Sequence, residues 1–221
     1  MHTTRTESER IAIELSDWYE LVEGRDLEQG DILEDCPVLR VPVDLSLPLV
    51  EGEGLDLDIG TQDMIITSQS CDLAEDQKQG IEYVALSPLW ALSNIEKVDQ
   101  FLGSTYGKEM CRRGNMHGYH MLAECDHADW KREIGVVAFR EVHSLPIDFL
   151  RSFAERAGPR RRVRSPYREH LAQAFARYFM RVGLPVDIPH FAVDKDEKKA
   201  IERLETLDEE TRRRVIDALD G

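Results

Sequence analysis

The sequence predicts an α+β protein: a small β-barrel or strongly bent sheet over residues 1–146, followed by a helical segment over residues 147–221 that packs on it. Three observations lead there. Through residue 142 the apolar residues come as short Val, Leu and Ile runs broken by proline and glycine, a spacing that suits strands and turns. A Gly30-Asp31 turn feeds one such run, and about 30 residues later Met64-Ile65-Ile66 ends in a turn rich in hydroxyls, Thr67-Ser68-Gln69-Ser70-Cys71. From Ile147 onward the apolar period changes from two to that of a helix.

In chain order, the first ten residues are polar and without period, which predicts a frayed start. Ile11 to Val22 mixes apolar and acidic residues until Gly24 breaks the run. Prolines 37, 42 and 48 and glycines 52, 54 and 60 punctuate strands between Ile32 and Ile66, with an acidic excursion at Glu51 to Asp58. A third strand starts at Ile81 and is expected to stop at Pro88. Ser93 to Leu102 reads as a short surface helix or loop, and Gly118–Leu122 and Ile134–Val142 read as further strands. Ile147 to Ala157 is amphipathic and stops at Gly158-Pro159. Ser165-Pro166 has the composition of a cap followed by a first helical position, and opens a helix to about Val182 that should bury Leu171, Phe175 and Phe179. Capping-box patterns at Asp194–Glu197 and Thr206–Glu209 predict two short terminal helices.

The chain has 221 residues, 42% hydrophobic and 32% charged, enough for a core that needs no staples. Its four cysteines are irregularly spaced, with no signal-peptide-like start and no apolar run long enough to span a bilayer, so reduced thiols in the cytoplasm and no membrane contact are expected. The net charge of −15 is uneven. Residues 1–100 carry 6 basic and 23 acidic side chains, whereas residues 151–182 carry 9 basic and 2 acidic. A concentrated basic segment beside an acidic half suits pairing within the chain or a solvated face, and next to that a phosphate-binding surface.

Three groups of side chains have chemistry to offer. Cys71 would be a nucleophile if a histidine and an anion hole surrounded it, but lone cysteines are commonly small buried hydrophobes, and here that structural role is expected. Cys111, His117, His120, Cys125 and His127 form the densest run of metal-ligand types. They lack a paired C-x-x-C, so no metal and no cofactor are expected, and zinc at these residues is the minority reading. Arg160, Arg161, Arg162, Arg164 and Arg168 precede and enter the helix that starts near residue 166. There they would either hold RNA or DNA phosphates or dock on the acidic half of the chain.

The Gly30-Asp31-Ile32 turn, the strand Asp63 to Ser68 and the strand running to Pro88 resemble, over residues 28–90, the MazF/PemK toxin family of SH3-like barrels that cleave RNA as dimers. The whole chain resembles uncharacterised bacterial proteins that join such a barrel to a helical half. The resemblance implies a catalytic arginine and a strand-end hydroxyl, matched by position to Arg40 and to Thr67 or Ser68. Because the first half is strongly acidic, the expected function is a non-catalytic interaction or regulatory module of a bacterial system, in toxin–antitoxin biology or phage defence. Its partner would be a protein or a second copy of the chain. A toxin-type endoribonuclease is the alternative, and a cysteine- or metal-dependent hydrolase the second alternative.

Overall fold

The computed structural model describes residues 13–40, 58–74 and 80–180. The chain divides into a unit of residues 1–181 and a unit of residues 182–221. The expected terminal helices, the acidic excursion up to residue 57 and the frayed start all lie outside the described residues.

The described chain is α+β and mostly antiparallel. Strands β1 (Ile13–Glu14) and β2 (Tyr19–Val22) lead into the nine-residue strands β3 (Ile32–Arg40) and β4 (Asp58–Ile66). A short helix α1 (Ser70–Leu73) precedes β5 (Tyr83–Ala91), and helices α2 (Leu92–Ile95), α3 (Gln100–Gly103) and α4 (Thr105–Arg112) follow it. Then come β6 (Tyr119–Leu122), β7 (Gly135–Ala138), β8 (His143–Pro146), α5 (Ile147–Ala157), β9 (Arg160–Val163) and α6 (Tyr167–Phe179). The larger sheet has the order β3-β4-β5-β7-β6, with β8 also on β5, and among the described residues it is open rather than closed into a barrel. A smaller sheet runs β1-β2-β9.

The period of two along β4 explains how the large sheet is covered on both faces. Met64 and Ile66 belong to a cluster with Leu33, Val84 and Leu86 under Leu150 and Ala154 of α5, while Ile65 belongs to a second cluster with Ile32, Val137 and Phe139 under Val163 and Leu171. Each of these β4 side chains is fully buried, a gain of about 1.5–3 kcal/mol apiece. A third cluster joins Ile95, Leu102 and Cys111 of the α2–α4 segment to Val136. Gly107 permits the close approach of α4 to α3, because a Cβ there would fall 1.9 Å from the Phe101 carbonyl oxygen.

Four expectations change. β5 does not stop at Pro88 but continues to Ala91. Residues 83–86 of β5 pair with β8 and residues 89–91 with β7, so the antiparallel run along that edge is interrupted opposite Ser87 and Pro88. A proline lacks only a ladder donor, and it stands where that edge asks for none. Ser165 does not cap α6; the cap position is Pro166, without a side-chain hydrogen bond. Along α6, Leu171 is buried and Phe175 half-buried as the stripe required, but Phe179 is 54% exposed, because the core-facing stripe runs through Ala174, Phe175 and Tyr178 and Phe179 contacts the rings of Phe175 and Tyr178 edge-on. Finally, residues 160–163 are a strand with all four side chains buried, rather than flexible arginines before a helix.

Candidate functional site

The Gly30-Asp31 turn is the junction of the two sheets. Gly30 N–H donates to the Ile66 carbonyl at 2.9 Å, and its own carbonyl accepts from Val163 N–H at 3.0 Å. Its φ of +87° is the left-handed region, and a Cβ would meet the Val163 Cβ at 3.1 Å, so both conformation and space ask for glycine. Asp31 then stands in a bridge opposite Arg162 of β9.

Alternation along β9 sends its arginines to two places. Arg160 Nε donates to Asp31 Oδ2 at 2.9 Å, and Arg162 contacts both Asp31 oxygens, with Nη2 3.0 Å from Oδ2. The remaining guanidinium donors reach the carbonyls of Gly24 and Asp26, and Arg162 Nη1 and Arg168 Nη1 share Glu28 at 2.9 and 2.8 Å. Burial by itself would lower the Arg162 pKa, but Asp31, Glu28 and Glu20 more than reverse it, so the guanidinium stays charged. Arg161 faces the other way. It pairs with Glu34, donates to the Trp130 carbonyl at 3.0 Å and lies 5.9 Å from the Trp130 ring centroid. A bulge lets Glu34 reach it, since Glu34 and Asp35 together oppose Asp63, and Asp35 takes a φ of +50°. Arg132 ties the bulge to β4 through Asp63 at 2.8 Å and Glu34 at 3.2 Å.

The strand-end hydroxyls are also engaged in the fold. Thr67 is buried, and its Oγ1 donates to the Ala85 carbonyl at 3.0 Å, while Ser68 Oγ accepts from Ala85 N–H at 2.9 Å. Gln29 spans back to the same turn, donating from Nε2 to the Thr67 carbonyl at 2.8 Å and from its backbone to Ser70 Oγ at 3.1 Å. Arg40 lies at the opposite end of β4, in register with Asp58, nine residues before Thr67 and therefore about 30 Å away along a strand. The loop arginine and the strand-end hydroxyls are thus not brought together within one chain.

Cys71 is exposed, contrary to the expectation of a small buried hydrophobe; its thiol lies 3.6 Å from Asp72 Oδ1 on the outer face of α1. The five residues between 111 and 127 are dispersed. Cys111 belongs to the cluster under α2–α4, Cys125 to the cluster under α6, and His120 stacks at 6.3 Å on Phe139. Among the described residues no three His, Cys, Asp or Glu side chains are grouped to hold a metal ion. Arg164 reaches outward to Glu14 and to the Ser16 carbonyl. No described helix is long and apolar enough to cross a membrane.

A second feature was not anticipated from sequence. Trp90, Tyr119, Phe101, Val98, Asp99 and Glu141 line a cleft of about 430 Å³ beside α2 and α3. Asp99 caps α3, accepting from Phe101 N–H at 2.9 Å and Leu102 N–H at 3.1 Å, and its second oxygen accepts from Tyr119 Oη at 3.0 Å. Burial alone would raise the Asp99 pKa, but those three hydrogen bonds and Arg140 outweigh it and hold the carboxyl below its ordinary value. The local signal was Asp99 with the apolar pair Phe101-Leu102 two residues on, a cap pattern too short to stand out. Compared with family models, curated proteins and solved structures, the chain matches none.

Proposed function

We propose that this chain is a non-catalytic interaction or regulatory module, acting through a protein partner in a bacterial system of the toxin–antitoxin or phage-defence kind. The single observation that supports this most is where the reactive side chains are used. Thr67 and Ser68 bond to the Ala85 backbone, and Arg160 and Arg162 are closed around Asp31. Arg40 stands at the far end of the strand from both hydroxyls. Phosphoryl chemistry needs donors preorganised at one point and open to a substrate, and these groups are either buried or apart. The α2–α4 segment, in contrast, exposes Val98, Phe101 and Tyr106.

The test is incubation of the purified chain with structured and single-stranded RNA, alongside purification from its own host to find a partner in fixed ratio. The expected result is intact RNA and one stoichiometric protein partner. Cleavage by the wild type that disappears in Arg40→Ala would replace this reading with the endoribonuclease.

A further inference from the structure

We propose that the cleft between Trp90, Phe101 and Tyr119 receives a lysine or arginine side chain from the partner protein, an inference that rests on the interaction-module reading above. The walls explain the choice of ligand. Three aromatic rings and two carboxylates line the cleft, and no basic side chain does. Ring faces are negative, so they attract a cation. The two carboxylates add charge, and one of them, Asp99, is fixed in place by the three hydrogen bonds it accepts.

The same chemistry operates a few ångströms away. The Arg140 guanidinium sits 5.1 Å from the Tyr119 ring centroid, in an adjoining depression that shares Asp99 and Phe101 with the cleft. Tyr119 therefore already carries one cation, and that cation also acts on Asp99, so an incoming guest shares these two groups with Arg140. Phe101 is 45% exposed and Val98 78% exposed, and exposed apolar side chains beside two carboxylates fit the alkyl stem and charged head of one long basic side chain. Nucleic acid is disfavoured, because its phosphates would approach Asp99 and Glu141.

The probe is the peptide acetyl-Gly-Arg-Gly-amide, titrated into the full chain at 150 mM salt and followed by amide chemical shifts. Its counterpart carries citrulline, which has the shape of arginine without the charge. Arginine peptide should bind at least about tenfold more tightly than citrulline peptide, with shifts at Trp90, Phe101 and Tyr119. Asp99→Asn keeps an oxygen to cap α3 and should weaken binding about tenfold. Glu141→Gln, which has no capping role, should also weaken it, and Phe101→Ala should remove it. Equal affinity for the two peptides, shifts confined to other surfaces, or tighter binding of oligothymidylate than of peptide would each overturn the proposal. A native partner that binds Asp99→Asn and Glu141→Gln as well as it binds wild type would reject the cleft while leaving the module reading intact; RNA cleavage would reject the module reading itself.

Discussion

Arg162 lies opposite Asp31 across the junction of the two sheets, its Nη2 3.0 Å from Asp31 Oδ2, with both side chains buried. Arg160 approaches the same carboxylate, Arg162 Nη1 turns to Glu28 at 2.9 Å, and the carbonyls of Gly24 and Asp26 take further donors. A buried ion group of this kind is no proof of high stability, since desolvating the charges offsets their attraction; what it does impose is a severe cost for removing one member.

Asp31→Asn should therefore lower stability by about 3–5 kcal/mol, because it removes the carboxylate that both buried guanidinium groups contact and leaves Arg162 with Glu28. Urea denaturation of the variant is the measurement. A loss below about 1 kcal/mol would mean that water reaches the arginines and screens them.

Gly30→Ala should cost more than Gly24→Ala, and the pair separates two effects. Both positions have a φ of +87°, but a Cβ at Gly24 meets nothing within 4 Å, whereas at Gly30 it meets the Val163 Cβ at 3.1 Å. The backbone penalty, about 1–2 kcal/mol, is common to both, and the crowding at the sheet junction adds about 1–3 kcal/mol at Gly30 alone. Equal denaturation midpoints for the two variants would show that β9 can move away freely.

His120 gives the fold an acid-sensitive limb. Burial first, and then the charges of His170 and Arg177, push its pKa down from 6.5 to about 4. The unfolded chain takes up this proton as pH falls through 6.5, and the folded chain does so only near 4. The stabilisation is complete above pH 6.5 and is lost as pH drops between these values, by about 3 kcal/mol in total. His120→Gln should flatten the fall in urea midpoint across that window; an unchanged fall would assign it to other groups.

The thiols should divide one against three. Burial pushes Cys36 and Cys111 up to about 11, and Cys125 is buried as well, while Cys71 is exposed. A thiol-specific chromogenic reagent should therefore modify one cysteine per native chain quickly and the rest only on unfolding, and Cys71→Ser should abolish the fast phase. Two fast thiols would mean local opening over one of the buried sites.

Much of the fold was legible where the signal is local. Met64-Ile65-Ile66 is central because an apolar run between turns has no face to give to water, and α5 ends at Gly158 as its composition requires. Pro88 misled because whether a strand needs its N–H depends on a partner 50 residues away, which no window along the chain contains. The arginine run misled for a related reason: charge reads as exposure unless its counter-ion is known, and Asp31 lies 131 residues from Arg162. Three identical residues carry no period in sequence, so the alternation of Arg160 and Arg162 against Arg161 exists only in the fold. The aromatic cleft draws on residues 90 to 141, from β5, α3, β6 and the turn after β7, so only tertiary structure assembles it.

The interruption opposite Ser87 and Pro88 makes a seam in the large sheet. On one side of it, β5 is held by β8 and β4; on the other, it is held by β7, which in turn carries β6. The ladder does not run unbroken along that edge, so loosening of the part bearing β6, β7 and the aromatic cleft would break no hydrogen bond of the β3–β4 or β5–β8 pairs and would part Val137 from Ile65 and Ile32 in the core. Amide hydrogen exchange should accordingly resolve two protection classes along a single strand, with Val84 to Leu86 slower than Leu89 to Ala91. A guest entering the cleft would then slow the second class alone, so that occupancy is written in the exchange rates of one strand.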